Sequence, residues 1–354
     1  MYSFKNDYCE GAHPSILTAL TEHNMSQEEG YGMDSHSMNA VRMIKELVGD
    51  QEAGVHLISG GTQTNLIAIS AFLRPHHACI TPGTGHIATH ETGAIEATGH
   101  KLLTVDTVDG KLTPELIAPV LVEHHFEHMV KPSMVYISNS TELGTVYSKT
   151  ELAALYAYCR AENLLLYADG ARLGAALTAK GTDLTLKDIY ELTDAFFIGA
   201  TKTGALLGEA LVLKNADLKE EFRYLIKQKG ALLAKGRILG IQFEALFRDG
   251  LYFELARHAN EMAQTIAREL KQNGCSFLID SPTNQIFPVM ENQIIEALSR
   301  QFDFYSWAKV DDTHAAIRLI TSWATPEHAV QDFINAYKEE VCSITPPGNP
   351  AIGV

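Results

Sequence analysis

From Val55 onward, short apolar runs of β character alternate with segments whose apolar residues recur at helical spacing: VHLI, TNLIAISAFLR, HACIT, LLTVD, SMVYIS, ELAALYAYCRAEN, NLLLYAD, AFFIG and EALVLK. Such alternation predicts βαβ units around a mainly parallel sheet. Many of the runs lack polar alternation, as strands covered by helices on both faces do. Asp217 to Arg248 reads as one long helix-compatible stretch. After Asp249-Gly250 the pattern gives a helix (LYFELARHANEMAQTIAREL), the strands SFLID, NQIFPVM, FDFYSWAKV and AAIRLITSW, and a final helix EHAVQDFINAYKEEV. The expected fold class is therefore α/β, with an N-terminal segment and a large mainly parallel domain over residues 1–248 and a smaller α+β domain over 249–354. The tail SITPPGNPAIGV, with its prolines and little to pack, is expected to lie loosely on the surface.

With 354 residues, 46% of them hydrophobic and 20% charged, the chain can bury a sizeable core. Its 43 acidic residues against 28 basic ones, a net charge of −15, argue against a nucleic-acid backbone or an anionic membrane as partner. The start, MYSFKNDYCEGAHP, lacks a basic region followed by an apolar core, and no apolar run approaches the length of a membrane span, so a cytoplasmic protein is expected. The five cysteines (Cys9, Cys79, Cys159, Cys275, Cys342) are odd in number and widely spaced, with no C-x-x-C pair, which fits reduced thiols. Four of them are expected simply to pack, and Cys9, in the polar N-terminal segment, could line a site.

Three features carry chemistry. Gly60-Gly61-Thr62-Gln63-Thr64 follows the strand VHLI and opens a helix, a geometry that offers free backbone N–H groups and a positive helix end to a phosphate. Taken alone it is a tight strand-to-helix turn, and it spells neither G-x-G-x-x-G nor a Walker loop. Asp169 ends the strand NLLLYAD, where ligands of open α/β sheets bind, although an N-cap would also use aspartate. Lys202 follows the strand AFFIG among small residues, where its amine can be desolvated and its pKa lowered. Together, a phosphate turn, a strand-end acid and a strand-end lysine match what pyridoxal phosphate requires: an anchor, a partner for the pyridinium nitrogen and an amine to bond to.

Gly60-Gly61-Thr62-x-x-Asn65, His86-Ile-Ala-Thr-His90-Glu91-Thr-Gly93, Asp169-Gly-Ala-Arg172, Thr201-Lys202 and Arg318-Leu-Ile-Thr321 together resemble the low-specificity threonine aldolases of the β-eliminating lyase group. The resemblance runs from Phe4-Lys5-Asn6-Asp7 to about Thr325 and implies the aspartate-aminotransferase-like fold, fold type I. It further implies that Lys202 bonds to the cofactor, that Asp169 keeps the pyridinium nitrogen protonated, that His86 stacks on the ring and that Arg172 lies near the ring's 3-oxygen. Gly61, Thr62 and Gln63 would cradle the phosphate. Arg318 would grip the substrate carboxylate bidentately, with Asn6, Tyr31 and Arg172 as further substrate-side candidates. Tyr31 and Asp34 would stand near a neighbouring subunit's site, and Arg237 and Lys235 would reach a partner's phosphate, so a homo-oligomer, dimer or tetramer, with shared active sites is implied.

The departures concern the bond that breaks. Where the family commonly carries a histidine that helps deprotonate the β-hydroxyl, this chain has Asn139, Ser140 and Thr141; Tyr167 stands where histidine is frequent; and Lys5-Asn6-Asp7-Tyr8 replaces Arg-Ser-Asp-Thr. Cleavage of Cα–Cβ in a β-hydroxy amino acid (threonine or allo-threonine, to glycine and acetaldehyde) is the first expectation, and β-elimination on another amino acid is its competitor. A remote third reading is a zinc peptidase, because His124, Glu127 and His128 spell H-x-x-E-H. A charged, solvated helix face also accounts for that segment, and no metal ligand is assigned. His86 and His90 share the i, i+4 spacing, but stacking on the cofactor explains His86 better.

Overall fold

The computed structural model describes residues 1–344, so beyond Ile344 the expectation for the tail lies outside the described residues. A short strand β1 (Tyr2–Ser3) and helices α1 (Pro14–Glu22) and α2 (Ser35–Val48) come first. The alternating region then runs β2 (Gly54–Ile58), α3 (Gly61–Phe72), β3 (His77–Pro82), α4 (His86–Thr89), β4 (Lys101–Val105), α5 (Pro114–Glu123), β5 (Lys131–Ser138), α6 (Lys149–Ala161), β6 (Leu165–Asp169), α7 (Leu173–Thr178), α8 (Leu186–Glu191), β7 (Ala195–Gly199) and β8 (Glu209–Leu213).

The seven strands β2 to β8 form one sheet in the order β2-β8-β7-β6-β5-β3-β4. All pairs are parallel except those of β8, which is antiparallel to both β7 and β2. The reason is the connection: only Ala200 to Gly208 separate β7 from β8, too few residues for a helical crossover, so the chain turns back. Successive residues of the central strands enter different cores: Val135, Ile137, Phe196 and Ile198 pack on one face, and Met134, Tyr136 and Phe197 on the other. Burial on both faces is the cause of the unbroken apolar runs.

The single helical stretch expected between Asp217 and Arg248 is instead three helices, α9 (Ala216–Lys219), α10 (Phe222–Gln228) and α11 (Arg237–Phe247). Left-handed backbone at Glu221 (φ 52°) and Gly230 (φ 75°) interrupts the helix, and Gly236 lies so close to the Gly32 backbone that a Cβ would collide with it. The long helix α12 (Leu251–Gln272) leads into the smaller unit: β9 (Ser276–Phe277), β10 (Gln285–Ile286), β11 (Pro288–Glu291), α13 (Asn292–Ser299), β12 (Phe302–Asp303), β13 (Tyr305–Lys309), β14 (His314–Ile320) and α14 (Glu327–Ile344). Its sheet is antiparallel around β14, and α12 and α14 bury Ile266, Leu270, Phe333 and Ile334 in a core of their own. The first residues of the chain join this unit. β1 pairs with β12, and fully buried Phe4 packs against Phe302 and Phe333.

The segment behind the zinc-peptidase reading does not keep helical spacing. Helix α5 stops at Glu123, and His124, just past it, donates from Nδ1 to the Val120 carbonyl at 2.9 Å. His124 and His128 therefore do not stand one turn apart on a helix, and among the described residues no group of three or more His, Cys, Asp or Glu side chains forms a metal cluster.

Candidate active site

The carboxyl ends of β2, β3, β5, β6 and β7 open onto a cavity of about 670 Å³, closed on its far side by β13 and β14 of the smaller unit. This is the crevice where open α/β sheets bind ligands. At one end, Gly60 and Gly61 open α3 with no side-chain cap, which leaves the first N–H groups of the helix without an intrahelical partner. A Cβ on Gly60 would meet nothing within 4 Å, so the backbone there is open to a phosphate.

Asp169 is buried at the end of β6 and fixed on three sides. Tyr136 donates its hydroxyl to Oδ2 at 2.6 Å, Asn65 donates Nδ2 to the same oxygen at 3.0 Å, and the Ala171 N–H reaches Oδ1 at 2.9 Å. Asn65 Nδ2 also donates to Glu91 Oε1 at 2.8 Å, and the hydroxyl of buried Tyr167 donates to Asn65 Oδ1 at 3.0 Å. Glu91 in turn pairs with His86 Nδ1 at 2.8 Å. One hydrogen-bonded chain thus joins the two residues expected at the cofactor ring. Burial alone would lower the His86 pKa, but the Glu91 hydrogen bond, with the negative charges of Glu142 and Asp169, raises it.

Lys202 lies in the β7–β8 connection, and its amine makes no hydrogen bond or ion pair among the described residues. Burial, then the neighbouring Arg172 guanidinium, lowers its pKa against the pull of Asp7, Glu142 and Asp169. That is the condition under which a lysine becomes a nucleophile. Fully buried Glu209 sits beside it, accepts from Thr201 Oγ1 at 2.9 Å through Oε1, and has no partner for Oε2. Its pKa is pushed up to about 8, chiefly by burial.

Between the ordinary carboxyl value and that raised one, folded Glu209 holds a proton that the unfolded chain has released. Its contribution therefore weakens as pH rises through this window. Glu209→Gln copies the protonated form and should match the parent's melting temperature near about pH 5 and exceed it near about pH 9. A difference that does not change with pH in thermal melts would refute this.

The smaller unit contributes Arg318, Tyr305 and Trp307. The Arg318 guanidinium lies 5.1 Å from the Tyr305 ring centre and 4.8 Å from that of Trp307, and its Nε has no partner. Arg172 is buried and bound bidentately by Asp7, at 2.7 Å from Nε and 3.0 Å from Nη2, which holds the Asp7 carboxyl below its usual range despite burial. Sequence reasoning assigned no role to Asp7, Tyr8, Tyr136, Glu142, Glu209, Tyr305 or Trp307. A signal existed for Asp7 and Tyr8, which sit inside the Lys5-Asn6-Asp7-Tyr8 stretch.

Most other candidates stand outside the cavity. Gln63 turns its side chain to Ser59 and the Lys229 carbonyl, leaving only its backbone at the helix start. Asn6 accepts from the Tyr8 N–H at 3.0 Å and from the Cys9 thiol at 3.3 Å. Asp34 caps α2. Tyr31 lines a different, narrow crevice, and Arg237 is spent on the carbonyls of Ser26 and Asn24. His90 lies exposed on the cavity's rim.

A lysine in a strand-end loop, a buried acid at the next strand end, an uncapped helix start and an arginine from a second unit define a pyridoxal-phosphate enzyme of fold type I. The uncapped start of α3, buried Asp169 and the Lys202 amine, unpaired among the described residues, fit such a group, and the fold is shared with Thermus thermophilus aspartate aminotransferase (TM-score 0.68, 14% identity, 96% of this chain and 90% of that one). The beta-eliminating lyase model matches residues 7–293, and the chain belongs to that family. It is 32% identical over 333 residues to the low specificity L-threonine aldolase of Pseudomonas aeruginosa, covering 93% of this chain and 95% of that one. The Escherichia coli enzyme of the same name is 25% identical over 272 residues, covering 73% and 76%. A solved structure of Leishmania major threonine aldolase superposes with a TM-score of 0.95 at 51% identity, over 96% of this chain and all of that one.

Proposed function

We propose that this protein cleaves the Cα–Cβ bond of a β-hydroxy amino acid, converting threonine or allo-threonine to glycine and acetaldehyde. The observation that carries this reading is the convergence of Lys202, Asp169 and Arg318 on one cavity in a chain that aligns with threonine aldolases over nearly its whole length. Bound pyridoxal phosphate supplies a sink for the electron pair released at Cα. The start of α3 would hold the phosphate, Asp169 would keep the ring nitrogen protonated, and His86, fixed by Glu91, would line the ring's side of the cavity. The lowered pKa of Lys202 would leave its amine neutral and able to bond to the cofactor's aldehyde carbon.

Arg318 holds the substrate carboxylate. The two aromatic rings that flank its guanidinium fix the plane in which two N–H groups can meet two oxygens. That grip orients the substrate about Cα and so selects the bond that breaks. Purified protein supplied with pyridoxal phosphate and L-threonine or L-allo-threonine should release acetaldehyde and glycine in equal amounts. Pyruvate and ammonia from serine, with no acetaldehyde, would overturn the reading. Arg318→Ala should raise KM by about 10- to 150-fold, the ~1.5–3 kcal/mol of a hydrogen bond to a charged group, and leave the visible colour unchanged.

The active unit is proposed to be a homo-oligomer with shared sites, because Tyr31 and Arg237 stand away from their own subunit's cavity. Sedimentation should find activity only in the oligomer; a fully active monomer would refute this. A cytoplasmic location is supported by five free thiols, and among the described residues no helix is long and apolar enough to cross a membrane.

A further inference from the structure

Cleavage of threonine needs a base for the β-hydroxyl proton, and most acid–base groups around the cavity are already committed. Glu91 serves His86 and Asn65 through Oε1, Asp169 serves Tyr136, Asn65 and Ala171, and Glu209 serves Thr201 through Oε1, the second oxygens of Glu91 and Glu209 being buried. Glu142 is different. Among the described residues its carboxylate makes no hydrogen bond, and its ion-pair partner is Arg172 Nη1 at 4.0 Å, while Nε and Nη2 of that arginine are given to Asp7.

Glu142 is also held firmly in place. The turn after β5 closes through Thr141 and Thr145, with Thr141 N–H to the Thr145 carbonyl at 2.9 Å and the two hydroxyls 2.7 Å apart. Gly144, at φ 76°, lets this turn pack under Ser281 of the smaller unit, whose hydroxyl donates to the Gly144 carbonyl at 3.0 Å. The acid thus enters the cavity at the seam of the two units, where its charge acts on His86, Lys202 and Arg318 alike.

We propose that Glu142 is the catalytic base that accepts the substrate's β-hydroxyl proton. This rests on the threonine-cleavage reading. With the carboxylate on Arg318 and the amine toward Lys202, the β-carbon is the remaining arm of the substrate; among the described residues Glu142 is the cavity carboxylate with neither oxygen in a hydrogen bond, whereas Glu91 and Glu209 each hold one oxygen in a hydrogen bond and keep the other buried. The O–H bond breaks and its proton passes to a Glu142 oxygen. The O–H electron pair becomes the second C–O bond of acetaldehyde, and the Cα–Cβ pair stays with the glycine fragment. A proton from water at Cα completes glycine, and Glu142 gives the proton it took to water, so the two protons balance.

The test compares the cofactor-loaded parent with Glu142→Gln, Glu142→Asp and His90→Asn, measuring acetaldehyde release from L-threonine and the change in visible absorbance on binding glycine, which has no β-hydroxyl. Glu142→Gln should lose about 10²–10⁴-fold in kcat while binding glycine like the parent, as removal of one general base does. Glu142→Asp should fall between the two, and His90→Asn should stay within about tenfold of the parent. The proposal is overturned if Glu142→Gln keeps its rate, if His90→Asn carries the loss instead, or if Glu142→Gln and Glu142→Asp lose rate and glycine binding together, which would mark Glu142 as a support for Arg172. A parent that releases no acetaldehyde would remove the threonine-cleavage reading itself, a result distinct from all of these.

Discussion

Lys202→Ala is expected to give a folded, colourless protein whose release of acetaldehyde from threonine falls to background, beyond the ~10²–10⁴-fold owed to a single acid–base group. On the proposed reading the side chain is the point of covalent attachment as well as an amine beside the reacting carbon, so both roles vanish together. Folding should survive. The loop that carries Lys202 is set by the Ala200 N–H on the Gly208 carbonyl at 3.0 Å and by Thr201 on Glu209, and none of these contacts uses the lysine amine. Truncation also relieves burial of an amine whose pKa that burial depresses. Absorbance after incubation with pyridoxal phosphate, borohydride labelling and thermal melts read the three parts. A yellow variant, or a parent adduct that maps to another lysine, would defeat the assignment.

Asp169→Asn should cost about 150- to 5,000-fold in kcat with little change in KM, the scale of ~3–5 kcal/mol for breaking a buried ion pair. The amide keeps the size of the carboxylate, so its oxygen can still accept the Tyr136 hydroxyl that now lies 2.6 Å away. What it lacks is the negative charge that keeps a pyridinium nitrogen protonated. Steady-state kinetics beside circular dichroism separate the two effects, and a variant with the parent's kcat would show that Asp169 is a structural cap.

The parallel strands were legible because burial on both faces leaves a run such as AFFIG without polar interruption, and the residues just after such runs could be assigned to the ligand crevice from strand direction alone. Lys202 and Asp169 belong to that class. The far wall was not legible. Tyr305 and Trp307 sit in a strand whose residues are largely accessible to solvent, so nothing local separates a wall residue from a surface one. Arg172 and Asp7 meet across more than half the large unit, and Glu142 is aimed by a turn whose shape depends on Ser281 of the other unit. Such pairings follow from tertiary packing, which periodicity does not encode. Helix α2 was missed although a signal existed: Ser37, Ala40, Ile44 and Val48, its buried positions, recur at helical spacing behind the Asp34 cap.

The threading of the first residues through the smaller unit bears on when the site can exist during synthesis. The Phe4 N–H bonds to the Asp303 carbonyl at 2.7 Å and its own carbonyl accepts from the Ile320 N–H at 2.8 Å, so the opening of the chain is clamped between its last strands. Asp7, three residues on, is carried to Arg172 by that clamp. Contacts of such sequence separation are slow to close and cannot form on the ribosome until the distal strands have emerged. A nascent chain can therefore assemble the large sheet and still hold Arg172 without its carboxylate, and the pocket becomes competent only once the Phe4 segment has found β12 and β14.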